Sequence, residues 1–185
     1  MSEIKFATIG TSKITKTFLS AASNVPEFKL EATYSRNIKN AIEFGTPYNV
    51  TKFYDSLKAL AEDRTIDAVY IASPNAFHCS QAIQMMKAGK HVLCEKSLAS
   101  NKKEAEEMFR TAAENNVILL EAMRPVFDPG MDAVKASLNK LGVIRRATLN
   151  YCQYSSRYDS FLQGQEHNIF SRECSAGALM DIGTY

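Results

Sequence analysis

Two short apolar segments, each ending abruptly in polar residues, constrain the fold of this chain more than any other feature. They are Val69–Ala72 and Val92–Cys94, and the residues between them, Ala76–Lys87, have the composition of a helix closed by glycine. Such short runs are typical of strands buried on both faces of a parallel sheet. Ligands of open α/β sheets bind beyond the carboxyl ends of the strands, so the polar residues after each run are candidate binding residues. They are Ser73, Pro74, Asn75 and His78 after the first run, and Glu95 and Lys96 after the second.

Predicted strands and helices alternate throughout the first 122 residues. This alternation predicts an α/β fold with a doubly wound parallel sheet and right-handed crossovers, as in a Rossmann fold. Asp55-Ser56 and Ser100 are predicted helix caps. The helix that follows Ser100 carries an apolar stripe, Ala105, Met108, Phe109 and Ala112, that is expected in the core. The predicted strands are Ile4–Ile9, Phe28–Tyr34, Val50–Tyr54, Ile66–Ala72, Val92–Cys94 and Val117–Glu121, and the predicted helices include Ile38–Phe44, Leu57–Ala61, Ala76–Lys87 and Lys102–Asn115.

The composition changes after Glu121. Residues 122–129 are rich in proline, and Met131–Leu138 has a helical pattern. Val143–Tyr154 alternates apolar and polar residues with a period of two, which predicts a one-sided antiparallel strand. A polar loop is expected to follow over residues 155–172. The second part of the chain therefore reads as the start of an α+β domain.

Composition and charge argue against several classes of function. The net charge is +2 with both signs interspersed, so neither a nucleic-acid surface nor a membrane surface is indicated. No apolar run is long enough to span a bilayer, and the N-terminus enters a strand without an apolar signal region. The four cysteines lack the spacing of a metal site, so no metal is expected and the thiols are expected to be reduced and mostly buried. A soluble cytoplasmic protein is the expectation.

The turn after the first strand lies where a dinucleotide-binding fold places its phosphate loop. The usual G-x-G-x-x-G/A pattern retains only Gly10, because Ser12 replaces the second glycine and Thr15 the third position. Hydroxyls here can still reach a phosphate, and the start of the next helix faces the anion. Alone, the pattern also fits an ordinary strand–turn–helix. The candidate phosphate-binding residues are Gly10, Thr11, Ser12, Lys13 and Ile14.

The second strand ends in Tyr34-Ser35-Arg36 instead of the acidic residue that binds the ribose 2′-hydroxyl of NAD. Serine and arginine suit a 2′-phosphate, because a guanidinium pairs with phosphate through two hydrogen bonds. An exposed Arg36 in an ordinary loop is the alternative. NADP is therefore preferred as the cofactor, with NAD second.

Ser73-Pro74-Asn75-x-x-His78, followed by Ala-Gly-Lys-His-Val-Leu-Cys-Glu-Lys at 88–96, resembles the signature of the Gfo/Idh/MocA oxidoreductases. The motifs are most similar to those of the dihydrodiol dehydrogenase and glucose–fructose oxidoreductase subgroup. The resemblance runs from Ile4 to Tyr185. It implies an NAD(P)-binding Rossmann domain at residues 1–122, then the hinge and incomplete start of a C-terminal substrate and dimerisation domain at 123–185. It also implies that the parent protein is a homo-oligomer.

The resemblance implies that Lys96 is catalytic, hydrogen-bonding the substrate oxygen and sharing its proton as hydride moves. A solvated lysine at a strand end is the alternative. The family normally has proline where this chain has Ser97, and its lysine–proline bond is typically cis. Either the Lys96–Ser97 bond is also cis, or Lys96 is aimed differently.

Residues 177–185 resemble the start of the family's catalytic helix. Asp181 and Tyr185 are four residues apart, so a helix would place them on one face. Tyr185 stands at the family's histidine position and could donate its phenolic proton to a developing alkoxide. The alternative is that Asp181 caps the helix and Tyr185 packs in the core. The resemblance further implies cofactor contacts by Ser73, Pro74, Asn75, His78, Glu95 and Lys96, although His78 could merely pack, and Arg124 could contact a ligand or only line the hinge.

These residues favour an NAD(P)-dependent oxidoreductase that transfers a hydride between nicotinamide and a sugar, polyol or cyclic diol. The alternative is a dinucleotide-binding module without catalysis, or a truncated and inactive relative, as the altered glycine loop and Ser97 suggest. The 185 residues alone are expected to bind dinucleotide yet turn over poorly, because hydride transfer needs both reactants held together and shielded from water. The sequence does not identify the substrate.

Overall fold

A six-stranded, entirely parallel sheet organises the computed structural model, which describes residues 3–185. The strand order is β3-β2-β1-β4-β5-β6, so the chain moves outward from β1 to one edge and then crosses over to β4. This order confirms the predicted doubly wound fold, and the reversal between β1 and β4 creates a crevice at the carboxyl ends. The strands are β1 Ile4–Ile9, β2 Phe28–Tyr34, β3 Lys52–Tyr54, β4 Ala68–Ile71, β5 His91–Cys94 and β6 Leu119–Glu121.

Five helices connect the strands, and shorter helices follow the sheet. Each of the first five begins within eight residues of the preceding strand's carboxyl end and carries the crossover to the next parallel strand. Short 3₁₀ turns lie at Asn75–Phe77, Asn168–Phe170 and Arg172–Cys174, close to the crevice. The helices are α1 Lys13–Ala22, α2 Ile38–Gly45, α3 Leu57–Glu62, α4 His78–Lys87, α5 Lys102–Glu114, α6 Pro129–Leu138, α7 Tyr158–Leu162 and α8 Ala178–Asp181.

The core lies on both faces of the central strands, as the apolar runs predicted. All four residues of β4 are buried. Val69 and Ile71 pack into the main cluster with Met85 and Met108 on one face. On the other face the ring of Phe18 stacks on that of Tyr70, with 3.9 Å between the ring centroids. The central strands therefore form a rigid platform for the loops at their carboxyl ends.

The caps and the stripe of α5 need two corrections. Ser56 caps α3 as predicted, accepting a hydrogen bond from the Ala59 amide. The cap of α5, however, is Asn101 and not Ser100, because the Asn101 side chain accepts from the Glu104 amide. Within the predicted stripe Met108 and Ala112 are buried, whereas Phe109 is 55% exposed. Phe109 follows Met108 by about 100° around the helix, which places it on the flank and outside the core.

Val143–Tyr154 forms no strand in the described chain, contrary to the period-two pattern. Leu149 is 90% exposed. A strand needs a neighbour for its amide and carbonyl groups, and no part of residues 3–185 pairs with this segment. Its expected assignment to a second domain, beginning at residue 123, stays a prediction. None of the helices in the described part of the chain is long and apolar enough to span a membrane.

The cysteines are less uniformly buried than expected. Cys79 and Cys94 are buried, Cys174 is half-buried and Cys152 is exposed. All four are free thiols in the described structure. Burial first, and nearby carboxylates second, raise the pKa of Cys94 well above its usual value. The two buried thiols are therefore packing residues.

The β1–α1 turn depends on a glycine at position 10. Gly10 has a φ of +111°, and a Cβ there would lie 2.5 Å from the Ala72 carbonyl oxygen. We expect Gly10→Ala to destabilise the protein by more than the roughly 1–2 kcal/mol of a left-handed residue alone, because the ends of β1 and β4 must separate. Gly89→Ala is the matched control, since Gly89 has a φ of +79° but no described atom within 4 Å of its would-be Cβ. Equal losses of unfolding free energy in Gly10→Ala and Gly89→Ala, measured by urea denaturation, would contradict this steric argument.

Asp63 ties the segment before β4 to β3. Its carboxylate accepts hydrogen bonds from the Tyr54 hydroxyl at 2.8 Å, the Thr65 amide at 2.8 Å and the Lys52 ammonium at 3.2 Å. Burial alone raises the pKa of this carboxyl, but the hydrogen bonds from Thr65, Tyr54 and Lys52 outweigh it and hold the pKa well below its usual range. The ionised carboxylate is therefore the form that the fold stabilises.

We expect Asp63→Asn to lower the free energy of unfolding at pH 7, with the difference from the unsubstituted protein shrinking as pH falls below about 4. The sign follows from the depressed folded-state pKa: the stabilisation is present above the unfolded-state pKa and is lost as pH falls toward the folded-state value. Chemical denaturation across pH measures it. Asp132→Asn, at a 75% exposed side chain, is the control with a small effect throughout. If the difference in unfolding free energy between Asp63→Asn and the unsubstituted protein did not change with pH, the link between this carboxylate's ionisation and stability would be refuted.

Candidate active site

Two adjoining cavities occupy the crevice at the carboxyl ends of the strands. The arginine cavity, which includes Arg36, has a volume of about 480 Å³. The lysine cavity, which includes Lys96, has a volume of about 610 Å³. The two meet at a shared wall, so an elongated ligand could occupy both. The shared residues are Ser12, Ala72, Ser73, Pro74 and Asn168.

The arginine cavity brings together the first two strand ends. Gly10, Thr11 and Ser12 come from the β1–α1 turn, and Ser35 and Arg36 follow β2. Ser12 occupies the cap position of α1, yet its hydroxyl makes no capping hydrogen bond and is free for a ligand. Arg36 is exposed and takes part in none of the ion pairs of the described residues. This cavity therefore offers hydroxyls, the start of a helix and a free guanidinium, which together suit phosphate groups.

Lys96 lies in the lysine cavity, where the C-terminal segment meets the end of β5. Its Nζ donates to Oδ1 of Asp181 at 2.8 Å and also to the Asp181 backbone carbonyl. The same Nζ lies 4.7 Å from the centroid of the Tyr185 ring, a cation–π contact. The Lys96 side chain is only 14% exposed. Two of its three N–H donors are occupied, which leaves one for another partner.

Asp181 and Tyr185 reach Lys96 by a route that differs from the predicted one. Helix α8 ends at Asp181, so the two residues do not share a helix face. Tyr185 turns its ring face, and not its hydroxyl, toward the ammonium. The segment is instead docked by hydrogen bonds from the Ser97 hydroxyl to the Met180 carbonyl and from the Asn75 amide to the Ser175 carbonyl. Contacts within the described chain therefore position both Asp181 and Tyr185 beside Lys96.

Two carboxylates, those of Glu95 and Glu121, hold the loop that carries Lys96. The Lys96–Ser97 peptide bond is cis, as in the family pattern despite the missing proline. Glu95 accepts from the Lys96 amide at 3.3 Å and from the hydroxyl of buried Tyr70. Burial first, and this hydrogen bond second, raise the pKa of Tyr70. Glu121 accepts from the Leu98 amide at 2.8 Å, so the loop is held on both sides of the lysine.

His78 lies beneath the crevice, and the structure does not bring it to a ligand. Its side chain is completely buried, with Nδ1 2.8 Å from the Ser97 carbonyl oxygen and Nε2 2.9 Å from that of Ser73. Burial lowers the pKa of His78, and the two carbonyl contacts partly oppose this shift. Direct contact with a cofactor, which the sequence left open, is therefore wrong, because the imidazole has no exposed surface.

Lys13 and Arg124 also fall outside both cavities. Each is exposed, Lys13 in the first turn of α1 and Arg124 in the turn after β6. The sequence placed them by motif position alone, and a long side chain at a helix or turn start can point to solvent. The remaining candidates line one cavity or both: Gly10, Thr11, Ser12, Ile14, Ser35, Arg36, Ser73, Pro74, Asn75, Glu95, Lys96, Asp181 and Tyr185.

Several residues of the crevice carried no sequence signal. Asn40 of α2 lines the arginine cavity, and Gln81 of α4 accepts a hydrogen bond from the Ser73 hydroxyl at 2.7 Å. A polar wall of the lysine cavity comes from the segment that the sequence predicted only as strand and loop. No motif spacing links these positions to Lys96, so only the folded chain reveals them. The polar-wall residues are Tyr151, Gln153, Arg157, His167 and Asn168.

Comparison with known families decides the classification. The model of the Gfo/Idh/MocA family, described as "Oxidoreductase family, NAD-binding Rossmann fold", matches residues 4–123. The chain belongs to this family. In this Gfo/Idh/MocA chain the polar motif residues follow the ends of β4 and β5, as the sequence predicted.

The similarity to individual relatives extends beyond residues 4–123. Scyllo-inositol 2-dehydrogenase (NADP(+)) of Bacillus subtilis (strain 168) is 50% identical over 182 residues, covering 98% of this chain and 56% of the relative. Trans-1,2-dihydrobenzene-1,2-diol dehydrogenase of Xenopus tropicalis is 28% identical over 183 residues, covering 98% and 54%. The chain thus spans about half the length of these relatives.

A solved structure gives the same result for the fold. A 3-ketoreductase from Actinomadura kijaniata, in complex with TDP-benzene and NADP, superposes with a TM-score of 0.71 at 30% identity. The match covers 77% of this chain and 45% of that one.

Proposed function

We propose that this Gfo/Idh/MocA chain binds NADP(H) and carries the lysine of an oxidoreductase that transfers a hydride between nicotinamide and a secondary alcohol of a polyol, sugar or cyclic diol. The observation that carries the proposal is Lys96, held by Asp181 at 2.8 Å in the lysine cavity, which adjoins the arginine cavity. An ammonium with one free N–H in a polar cavity next to a phosphate-suited cavity is suited to proton transfer beside a dinucleotide.

The residues present fit NADP(H). The Ser12 hydroxyl and the start of α1 would hold the pyrophosphate, and the free Arg36 guanidinium with Ser35 would hold the 2′-phosphate. Asn75 and Glu95 line the lysine cavity and would bind the nicotinamide half of the cofactor. Two relatives named with NADP support this preference over NAD.

Lys96 performs the proton chemistry in this proposal. When bound, the cofactor supplies the hydride acceptor or donor. In the reducing direction the Lys96 ammonium donates a proton to the carbonyl oxygen of the substrate, and in the oxidising direction the neutral amine removes it from the alcohol. Asp181 holds the ammonium in place through two acceptors, and Glu95 fixes the Lys96 backbone.

The polar wall of the lysine cavity supports a substrate with several hydroxyl groups. It presents amide, phenol and guanidinium groups from Gln153, Tyr151 and Arg157. His167 is fixed by a 2.6 Å hydrogen bond between its Nε2 and the Ser160 hydroxyl. Such groups bind hydroxyls at fixed positions, whereas an apolar pocket could not distinguish them. The named substrates of the two dehydrogenase relatives are a cyclic polyol and a cyclic diol.

The test combines binding and turnover in the protein that carries this chain. NADPH and NADH are titrated by nicotinamide fluorescence, and NADP⁺-dependent oxidation is assayed with scyllo-inositol and with trans-1,2-dihydrobenzene-1,2-diol. We expect NADPH binding and turnover of at least one alcohol. Binding without turnover of either alcohol would favour the alternative, a dinucleotide-binding module without catalysis.

We also propose a reducing cytoplasmic compartment and a homo-oligomeric parent protein. Four free thiols, one of them exposed Cys152, support the first. Large apolar side chains exposed after residue 125, such as Phe127 at 73% and Leu149 at 90%, support burial of this region against further protein. Light scattering after gel filtration tests the oligomer, and a monomer at micromolar concentration would exclude it.

A further inference from the structure

The imidazole of His78 contacts two loops of the crevice at once. His78 is the first residue of α4 and its side chain is completely buried. Nδ1 lies 2.8 Å from the Ser97 carbonyl oxygen and Nε2 lies 2.9 Å from the Ser73 carbonyl oxygen. The first loop follows β5 and carries Lys96, while the second follows β4 and lines both cavities. One ring therefore spans the two loops from below.

Both partners are carbonyl oxygens, which only accept hydrogen bonds. A neutral imidazole donates through one nitrogen, whereas the imidazolium donates through both. Burial is the largest influence and lowers the pKa of His78, whereas the contacts with the Ser97 and Ser73 carbonyls, and then the carboxylates of Glu95 and Glu121, favour the charged ring and oppose that shift in part. Full use of both contacts therefore calls for N–H groups on both nitrogens.

We propose that His78 is a positioning residue that clamps the loop after β4 to the Lys96–Ser97 peptide, so that dinucleotide binding and lysine placement depend on one buried ring. The lysine half rests on the proposed function, whereas the dinucleotide half needs only NADPH binding. Neighbouring contacts make α4 the base of the clamp. Gln81, three residues along α4, accepts from the Ser73 hydroxyl, so the same helix end holds both the backbone and the side chain of Ser73.

Two amide substitutions separate the two contacts. The amide nitrogen of asparagine stands near the place of Nδ1, so His78→Asn should keep the bond to Ser97 and lose the bond to Ser73. The amide nitrogen of glutamine stands near the place of Nε2, so His78→Gln should keep Ser73 and lose Ser97. We expect His78→Asn to weaken NADPH binding about tenfold with little change in kcat, and His78→Gln to lower kcat about tenfold with little change in the NADPH Kd, the size typical of one buried hydrogen bond.

Cys79→Ala is the matched control. Cys79 is the next residue of α4 and is buried, but its thiol bonds weakly to the Glu104 carbonyl and to neither crevice loop in the described chain. The Cys79→Ala variant should lower the melting temperature without changing one of the two quantities, the NADPH Kd or kcat, more than the other. The proposal would be overturned if NADPH affinity and kcat fell together in both His78 variants, in proportion to the fall in melting temperature. The absence of any loss would overturn it too.

Failure of the proposed function is distinguishable from failure of the clamp. If the unsubstituted protein turns over no alcohol, the NADPH Kd still decides: weakening in His78→Asn but not in His78→Gln supports the clamp, and any other pattern overturns it. If neither variant folds, ¹⁵N-histidine NMR of the unsubstituted protein at pH 6 replaces them. Solvent-protected N–H signals from both ring nitrogens of His78 support the clamp. A ring that donates through one nitrogen or none would overturn it.

Discussion

Replacing Lys96 by methionine should lower turnover by roughly two to four orders of magnitude, the range of a lost general acid–base group, while the NADPH Kd stays within about threefold. Methionine keeps the length and packing of the stem but removes the ammonium that Asp181 holds at 2.8 Å. The loop contacts His78 and Met180 through Ser97 and not through Lys96, so it should keep its shape in the variant. Steady-state kinetics and NADPH fluorescence titration measure the two quantities.

Lys102→Met is the matched control for this experiment. Lys102 is 88% exposed, and its one ion pair among the described residues is with Glu106 on the surface of α5, so neither turnover nor Kd should change. Tyr185→Phe should lower turnover less than Lys96→Met, because the ring face, which the variant retains, is what contacts the ammonium. A comparable loss would instead indicate a proton relay through the phenol. Near-normal turnover of Lys96→Met would refute the catalytic role and favour the module without catalysis.

Arg36→Ala should weaken NADPH binding by about ten- to a hundredfold and leave NADH binding nearly unchanged, the loss expected of charge-assisted hydrogen bonds. Arg36 follows β2 and lines the arginine cavity without an ion-pair partner in the described chain, so its guanidinium is free for a 2′-phosphate. NADH has no such phosphate and gains nothing from the cation. Parallel titrations with both dinucleotides give the ratio directly.

Arg110→Ala controls for the loss of one positive charge. Arg110 is 67% exposed on α5 and pairs with Glu114, away from both cavities. Its variant should keep the preference for NADPH over NADH. Equal affinities of the unsubstituted protein for the two dinucleotides, or a preference that survives Arg36→Ala, would remove the argument for the 2′-phosphate site.

The fold was accessible from local sequence because strand and helix patterns alternate along the chain. Strand β4 is buried along its whole length and is a short apolar run, and β1 and β2 begin and end at the residues that the pattern indicated. The shorter edge strand β3 begins two residues later than expected, at Lys52, since strand ends depend on the neighbouring strand. The cap of α5 moved from Ser100 to Asn101 for a similar reason, because both residue types can cap and the backbone selects one.

The site was accessible only where a motif marks a strand end. Gly10, Ser73, Glu95 and Lys96 lie within two residues of a strand's end, and parallel strands bring their carboxyl ends to one edge. The same reasoning misplaced Lys13 and Arg124, because a motif position does not specify where a long side chain points. It also missed Tyr70, whose hydroxyl holds Glu95 from inside the sheet. A tyrosine in an apolar run looks like core until its polar partner is known.

Local sequence patterns decided the features that depend only on residues close together in the chain. These are the order of strands and helices, the glycine at the first turn and the lysine after β5. Contacts between distant segments decided the rest, because their geometry depends on how separate loops pack. Examples are Lys96 with Asp181, 85 residues apart, and Asn75 with Ser175, 100 apart. The double contact of His78 belongs to the same class: the sequence left open whether that ring binds a cofactor or packs, and the structure buries it between two carbonyl oxygens.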